Sequence, residues 1–288
     1  MAHEPISQFY YSHRLKLHFW DWGDNGKPNL ILVHGGMDHA RSWDRIAEAF
    51  RNDFRILAPD LRGHGDSSWA YGSLYGLAEY VLDLSALADI AGRFPICFIG
   101  HSLGAAIVLQ YAGIYPDRVQ KLVAIEGVSP PQGVPGTRPA SERLREWIEV
   151  MRQYEKKAPR KYPNLDAACE RMYKANPHLS PETARHLTLY GSNWSADGSL
   201  TWKFDNYVRA LAVYGLDMDD VQQTWSQIRC PVLLFRGLDS WTQDPGKEGR
   251  IQSIPGYRMI EVPDAGHWLH HDQPDFFIEQ TRRFFESN

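Results

Sequence analysis

One stretch limits what this chain can fold into: Pro95-Ile96-Cys97-Phe98-Ile99-Gly100-His101-Ser102-Leu103-Gly104-Ala105-Ala106. An apolar, strand-forming run stops at Gly100, and helix-forming residues begin at Leu103. A single serine stands between them, inside Gly-x-Ser-x-Gly. A strand that turns directly into a helix over one serine lifts its hydroxyl above the sheet and points the helix N-terminus at it. Glycine suits positions 100 and 104 because strand and helix approach too closely there for side chains. A plain strand-to-helix turn can carry the same five residues, so the rest of the chain has to supply a reason for the serine.

The neighbouring patterns place this turn in a larger sheet. Residues 14–20 alternate, with Leu15, Leu17 and Phe19 on one face, as in a half-buried strand. Residues 24–27 form a turn. Residues 29–33 are a continuous apolar run, expected of a central strand covered on both sides. Ser42 is positioned to cap a helix through Phe50, and 54–58 is the next strand. A helix is predicted over 77–91, the helix after Ser102 ends at Pro116, and 119–125 is a further strand. Strand alternating with helix means a mostly parallel, doubly wound α/β sheet, with ligands bound beyond the carboxyl ends of its strands.

The alternation breaks at Ser129-Pro130-Pro131. From 129 to 225 there is no strand run, and short helices are predicted over 141–156, 166–176, 180–189 and 202–214. Strands resume at 231–235 and 257–262, and a last helix covers 276–285. The expected organisation is an α/β core of residues 1–128 and 226–288, with a helical cap of residues 129–225 inserted at a strand's carboxyl end.

Ser102 needs a base, and the base needs a carboxylate to fix its tautomer. His267 follows the last strand in Pro263-Asp264-Ala265-Gly266-His267-Trp268, at the sheet edge that carries the serine, and Gly266 is expected to let that loop turn tightly. His270 and His271 are alternatives for the base; His178 and His186 are expected on the surface of the insertion. Two carboxylates remain open as the acid: Asp239, just past the 231–235 strand, and Glu126, at the end of the 119–125 strand. Backbone N–H groups of Leu103 and Gly36 are the expected oxyanion donors. Met37, Trp43, Trp241 and Trp268 are candidates for an apolar substrate pocket. His34, His64 and His101 are read as structural.

Composition excludes several other classes. Of 288 residues, 43% are hydrophobic and 23% charged, with a net charge of −4, which gives no basic footprint for nucleic acid. No run of 18 apolar residues offers a membrane span, and the first residues do not read as a signal peptide. Three scattered cysteines read as free thiols of a cytoplasmic protein. No metal-ligand spacing or dinucleotide fingerprint is present, so neither metal nor cofactor is expected.

Four motifs, His34-Gly35-Gly36, Asp60-Leu61-Arg62-Gly63-His64-Gly65-Asp66-Ser67, Gly100-His101-Ser102-Leu103-Gly104 and Gly266-His267-Trp268, occur in an order that resembles the α/β-hydrolase family, specifically serine hydrolases with a helical cap. The resemblance runs from about residue 15 to residue 285. It implies Gly36 and Leu103 as the oxyanion hole. Family members with the acid after the seventh strand usually show Gly-x-x-Asp. Here Gly237-Leu238-Asp239-Ser240 brings the aspartate one residue early. Certain haloalkane dehalogenases place a glutamate after the sixth strand, where Glu126 stands. Dehalogenase and epoxide hydrolase relatives carry an aspartate nucleophile, unlike Ser102. The expected activity is therefore hydrolysis of a small-molecule carboxylic ester through an acyl-enzyme. Lactone, amide or carbon–carbon hydrolysis on the same residues, or a non-catalytic small-molecule receptor, are the alternatives. The one assembly expected is a homodimer.

Overall fold

In the computed structural model, residues 4–23, 26–72, 75–128, 139–210, 216–247 and 249–287 are described. The chain opens with an antiparallel hairpin of β1 (Ile6–Ser12) and β2 (Leu15–Asp21). Strand β1 escapes a sequence reading because its apolar residues fall on both parities, and Ile6, Phe9 and Tyr11 remain exposed. Strand β3 (Asn29–Val33), helix α1 (Asp44–Phe50), β4 (Arg55–Pro59), α2 (Leu77–Ala91), β5 (Ile96–His101), α3 (Leu103–Ile114) and β6 (Val119–Ile125) follow. Next come α4 (Ala140–Glu155), α5 (Leu165–Ala175), α6 (Pro181–Tyr190), the hairpin β7 (Ser192–Trp194) and β8 (Leu200–Trp202), and α7 (Met218–Trp225). Strands β9 (Val232–Gly237) and β10 (Arg258–Val262) and helices α8 (Leu269–Asp272) and α9 (Pro274–Glu286) complete the chain.

Eight strands make one sheet in the order β1-β2-β4-β3-β5-β6-β9-β10, antiparallel only at the β1 and β2 edge. Side chains alternate between two buried faces. Ile31, Val33 and Phe98 face a core completed by α2, α3 and α7, while Leu30, Leu32 and Ile99 face one completed by α1 and α9. Both parities of β3 are buried, which is why its sequence shows no alternation. Burying each such side chain contributes about 1.5–3 kcal/mol, so the central strands are the rigid base on which the site stands.

Several local expectations change. Ser42 lies inside a 3₁₀ turn, Ala40–Trp43, and its hydroxyl donates to Asp38 Oδ2 at 2.9 Å; it caps no helix. The helix expected over 202–214 does not form as such: β8 ends at Trp202, and a 3₁₀ turn covers Asn206–Arg209, capped by Asp205. Residues 211–215 lie outside the described residues, as do 24–25 of the expected turn and the break at Ser129-Pro130-Pro131. The short β7–β8 hairpin replaces an all-helical insertion: Tyr162 adds a bridge to Leu200, and Trp202 donates to the Tyr162 hydroxyl at 3.1 Å. Helix α7 packs on α3, with Val221 and Trp225 in the core.

Elements between β6 and β9 are tied to the loops that follow β3 and β4. His39 Nε2 donates to Leu187 O at 2.9 Å, Tyr75 donates to Asp205 at 2.6 Å, and Lys203 pairs with Asp66 at 2.7 Å. Asp60 anchors these loops, accepting from Ala40 N–H at 2.7 Å, Asp66 N–H at 3.0 Å and His18 Nδ1–H at 2.7 Å. Arg62 and Asp83 form a buried two-point pair at 2.6 and 2.7 Å. All three cysteines are free, and burial pushes the Cys97 and Cys230 thiols up to about 12.

Candidate active site

The turn between β5 and α3 forces Ser102 to φ 51°, a left-handed value that a serine adopts only under constraint. The constraint is close packing: a Cβ on Gly100 would lie 2.5 Å from Gly104 O. Ser102 N–H donates to Ile125 O at 2.7 Å, which ties the turn to β6. Leu103 begins α3, so its N–H has no helical partner. The Gly36 N–H likewise has no partner among the described residues, and space is open above its Cα. A Cβ on neighbouring Gly35 would come within 3.2 Å of Ser102 Cβ, so the loop after β3 passes beside the serine.

That loop is held by neutral histidines. His34 Nδ1 donates to Gly35 O at 2.7 Å while its Nε2 accepts Leu61 N–H at 3.0 Å, and burial lowers its pKa to about 3. His64 donates to Arg62 O at 2.9 Å and is lowered to about 4 by burial. Both brace loops, as their sequence context suggests.

The loop after β10 brings His267 to the same edge. Its left-handed residue is Asp264 at φ 51°, not Gly266. Gly266 instead makes room: a Cβ there would lie 3.2 Å from the His178 ring. His267 Nδ1 lies 3.5 Å from Glu126 Oε2, slightly beyond hydrogen-bond length, and the Glu126 side chain is 1% exposed. Catalytic hydrogen bonds are often this long before substrate binds. Glu126 also accepts Gly237 N–H at 2.6 Å, the Ser240 hydroxyl at 2.8 Å and the Thr242 hydroxyl. A buried carboxylate with three donors is held in place.

Asp239 is placed differently. It is exposed, its backbone N–H donates to Ala265 O at 3.0 Å, and its carboxylate has no partner among the described residues. Ser240, which occupies the register where the resemblance leads one to expect aspartate, donates to Glu126. Thr242 was missed in the sequence; a hydroxyl two residues beyond Ser240 carries no signal until β6 and β9 are known to be neighbours.

Of the four apolar pocket candidates, Trp241 is 74% exposed and tilts against the His267 ring at 4.7 Å between centroids. Met37, 44% exposed, accepts Arg209 Nε–H at 2.8 Å. Trp268 is half-buried against Leu179, Ala184 and Leu187. Trp43 is fully buried, stacked on His270 at 4.8 Å, and so presents no surface to a ligand; helical spacing alone cannot separate core from pocket. His270 is buried and His271 half-buried, and the pKa of each is lowered first by desolvation and then by neighbouring histidines.

A groove of about 330 Å³ lies between α4 and Tyr207, lined by Trp147, Ile148 and Met151, with no residue of the serine site in its wall. Among the described residues, His18, Asp60 and Asp66 are close enough to share a cation. His18 Nδ1 already donates to Asp60, and Lys203 pairs with Asp66, so these groups are occupied with one another. No helix among the described residues is long and apolar enough to cross a membrane.

Comparison with known proteins gives the same answer as the fold. The chain is 27% identical over 265 residues to mouse sn-1-specific diacylglycerol lipase, covering 91% of this chain and 82% of the relative. It is 32% identical over 297 residues to human Epoxide hydrolase 4, covering 93% and 77%. The crystal structure of a hypothetical protein from Pseudomonas aeruginosa PAO1 superposes with a TM-score of 0.86 at 25% identity, covering 99% of this chain and all of that one. The family described as "Alpha/beta hydrolase family" matches residues 30–280. With the eight-stranded, mostly parallel sheet and a serine at its strand-to-helix turn, the chain belongs to the alpha/beta hydrolase family.

Proposed function

We propose that the protein is a serine hydrolase of small carboxylic esters, working through an acyl-enzyme on Ser102, with His267 as base and Glu126, not Asp239, as the acid. The supporting observation is the 3.5 Å approach of the buried Glu126 carboxylate to His267 Nδ1, against an exposed Asp239. Ser102 Oγ attacks the ester carbonyl as His267 Nε2 takes its proton. Glu126 keeps the other ring proton on Nδ1 and stabilises the imidazolium. The N–H groups of Gly36 and Leu103 bind the oxyanion, helped by the α3 N-terminus. The alcohol leaves with the proton from His267, and water activated by the same ring releases the acid. Met37 and Trp241 flank the entry, and the inserted helices over 139–210 act as its lid.

Ester chemistry suits this nucleophile better than epoxide opening does. Attack by Ser102 on an epoxide would leave an ether, which has no carbonyl for water to attack. An aspartate nucleophile leaves a hydrolysable ester, and none occupies this turn. The test is hydrolysis of nitrophenyl esters of graded acyl length by the wild type and Ser102→Ala. Activity that falls by about 10⁶ in the variant supports the reading, and equal activity refutes it.

A further inference from the structure

His101 takes no part in the reaction as written, yet it touches three parts of the site. It ends β5, next to Ser102, and is 1% exposed. Its Nε2 lies 2.9 Å from the backbone carbonyl oxygen of His267, 166 residues away. A carbonyl only accepts, so Nε2 carries the proton and donates. The bare Nδ1 has no partner and faces the Gly35 loop, where a Cβ would lie 2.7 Å from it. The ring tilts against the His267 ring at 4.9 Å between centroids. One side chain therefore joins the serine turn by covalent bond, the Gly35–Gly36 loop by contact and the His267 loop by hydrogen bond.

The His267 loop has three other ties, Asp239 N–H to Ala265 O, Gly266 N–H to Asp272 Oδ2 at 2.8 Å and the Gln273 side-chain amide to Asp264 O at 3.2 Å. All three act before His267 in the chain. Among the described residues, the His267 carbonyl is held by His101 alone. Burial, and then the neighbouring His267, hold the His101 pKa well below 6.5, so the ring is neutral at the pH of the assay and places no cation beside the imidazolium that forms on His267.

We propose that His101 is a positioning residue for the base: its Nε2–H bond to the His267 carbonyl sets where the His267 ring stands relative to Ser102. The inference rests on the reading of Ser102 as nucleophile and His267 as base.

The test compares His101→Gln, His101→Asn and His101→Leu by kcat, KM and Tm on one nitrophenyl ester. A glutamine amide nitrogen reaches the position of histidine Nε2, the asparagine amide stops one methylene short, and leucine keeps apolar volume without a donor. Asn and Leu are expected to lower kcat about a hundredfold with KM within about threefold, the scale of an ångström's misplacement of a reacting group. Gln is expected to recover kcat to within about fivefold of wild type without a higher Tm than Asn, because one retained donor restores geometry rather than bulk packing. If the Leu variant does not fold, the Gln and Asn pair carries the comparison. Variants that keep wild-type kcat, or a Gln variant that falls as far as Asn in step with Tm, overturn the proposal. Ser102→Ala separates the two levels. If it is as active as wild type, the assignment of the nucleophile fails. If it is inert while His101→Asn keeps full kcat, only the positioning role fails.

Discussion

Replacing Glu126 by glutamine separates the two candidate acids without changing side-chain size. In Glu126→Gln the amide oxygen can still accept Gly237 N–H, leaving the NH₂ group where Oε2 faced Ser240, Thr242 and His267 Nδ1. The two hydroxyls can rotate to accept. The imidazole cannot adapt without cost: an NH₂ group beside Nδ1 favours the tautomer with its proton on Nε2, where it cannot accept from Ser102. In a serine protease the equivalent carboxylate-to-amide change lowers kcat about 10⁴-fold. A second route to the magnitude starts from the 3.5 Å separation. Removing one charge at that distance from the developing imidazolium, at an effective dielectric of about 20, costs roughly 4–5 kcal/mol, or about three decades in rate. Steady-state hydrolysis of a nitrophenyl ester at pH 8 is therefore expected to show kcat lowered about 10³–10⁴-fold in Glu126→Gln, with Asp239→Asn within about threefold of wild type. A Glu126→Gln enzyme keeping more than about a tenth of kcat, or an Asp239→Asn enzyme losing a hundredfold or more, would refute the assignment.

Three further outcomes follow from the same structure. Trp43→Ala removes a fully buried indole and is expected to destabilise the fold by about 3–5 kcal/mol in urea titration, while any folded fraction keeps its KM. Trp241→Ala is expected to leave Tm unchanged and raise KM for aromatic esters about two- to twelvefold, the worth of one aromatic contact; an unchanged KM would remove Trp241 from the substrate site. Acid should destabilise the protein below pH 6.5. His34, His39, His64 and His271 have folded pKa values of about 3, 4, 4 and 3, lowered chiefly by burial. Below about 6.5 the unfolded chain binds protons that these rings in the folded chain do not, so each costs about 1.4 kcal/mol per pH unit until its folded pKa is reached. Asp38, raised to about 7 by burial, opposes this by taking up one proton in the folded state. Asp44 and Asp272, also raised by burial, act in the same sense as Asp38, while His101 and His270, held well below 6.5, act in the sense of the other four rings. Three carboxyls against six histidines leave a net loss, so the urea midpoint is expected to fall between pH 6.5 and 4.5, and a midpoint that rises would contradict it.

The parallel sheet was legible because β3, β5 and β9 are apolar on both parities and each ends in a loop of glycine and polar residues. Ser102 and His267 stood out because each lies just past a strand's carboxyl end. The acid did not stand out, because two carboxylates share that property. Choosing between them takes the pairing of β6 with β9 and the exposure of the 238–239 turn, which are tertiary facts. Strand β1 was hidden by its mixed parity, and the β7–β8 hairpin by strands of three residues each. Trp43 illustrates a similar limit: its helical spacing is the same whether the face it serves is core or pocket. His101 looked like packing in the sequence, since its partner is a backbone carbonyl 166 residues away.

The most direct test of the central claim is to trap the acyl-enzyme. Wild-type protein mixed with a slowly deacylated nitrophenyl ester, quenched in acid within the burst and digested, should carry the acyl mass on the peptide containing Ser102. His267→Ala should accumulate none on that timescale. Turnover of the ester with Ser102 unmodified, or an acyl group found on another residue while Ser102→Ala turns over normally, would contradict the account.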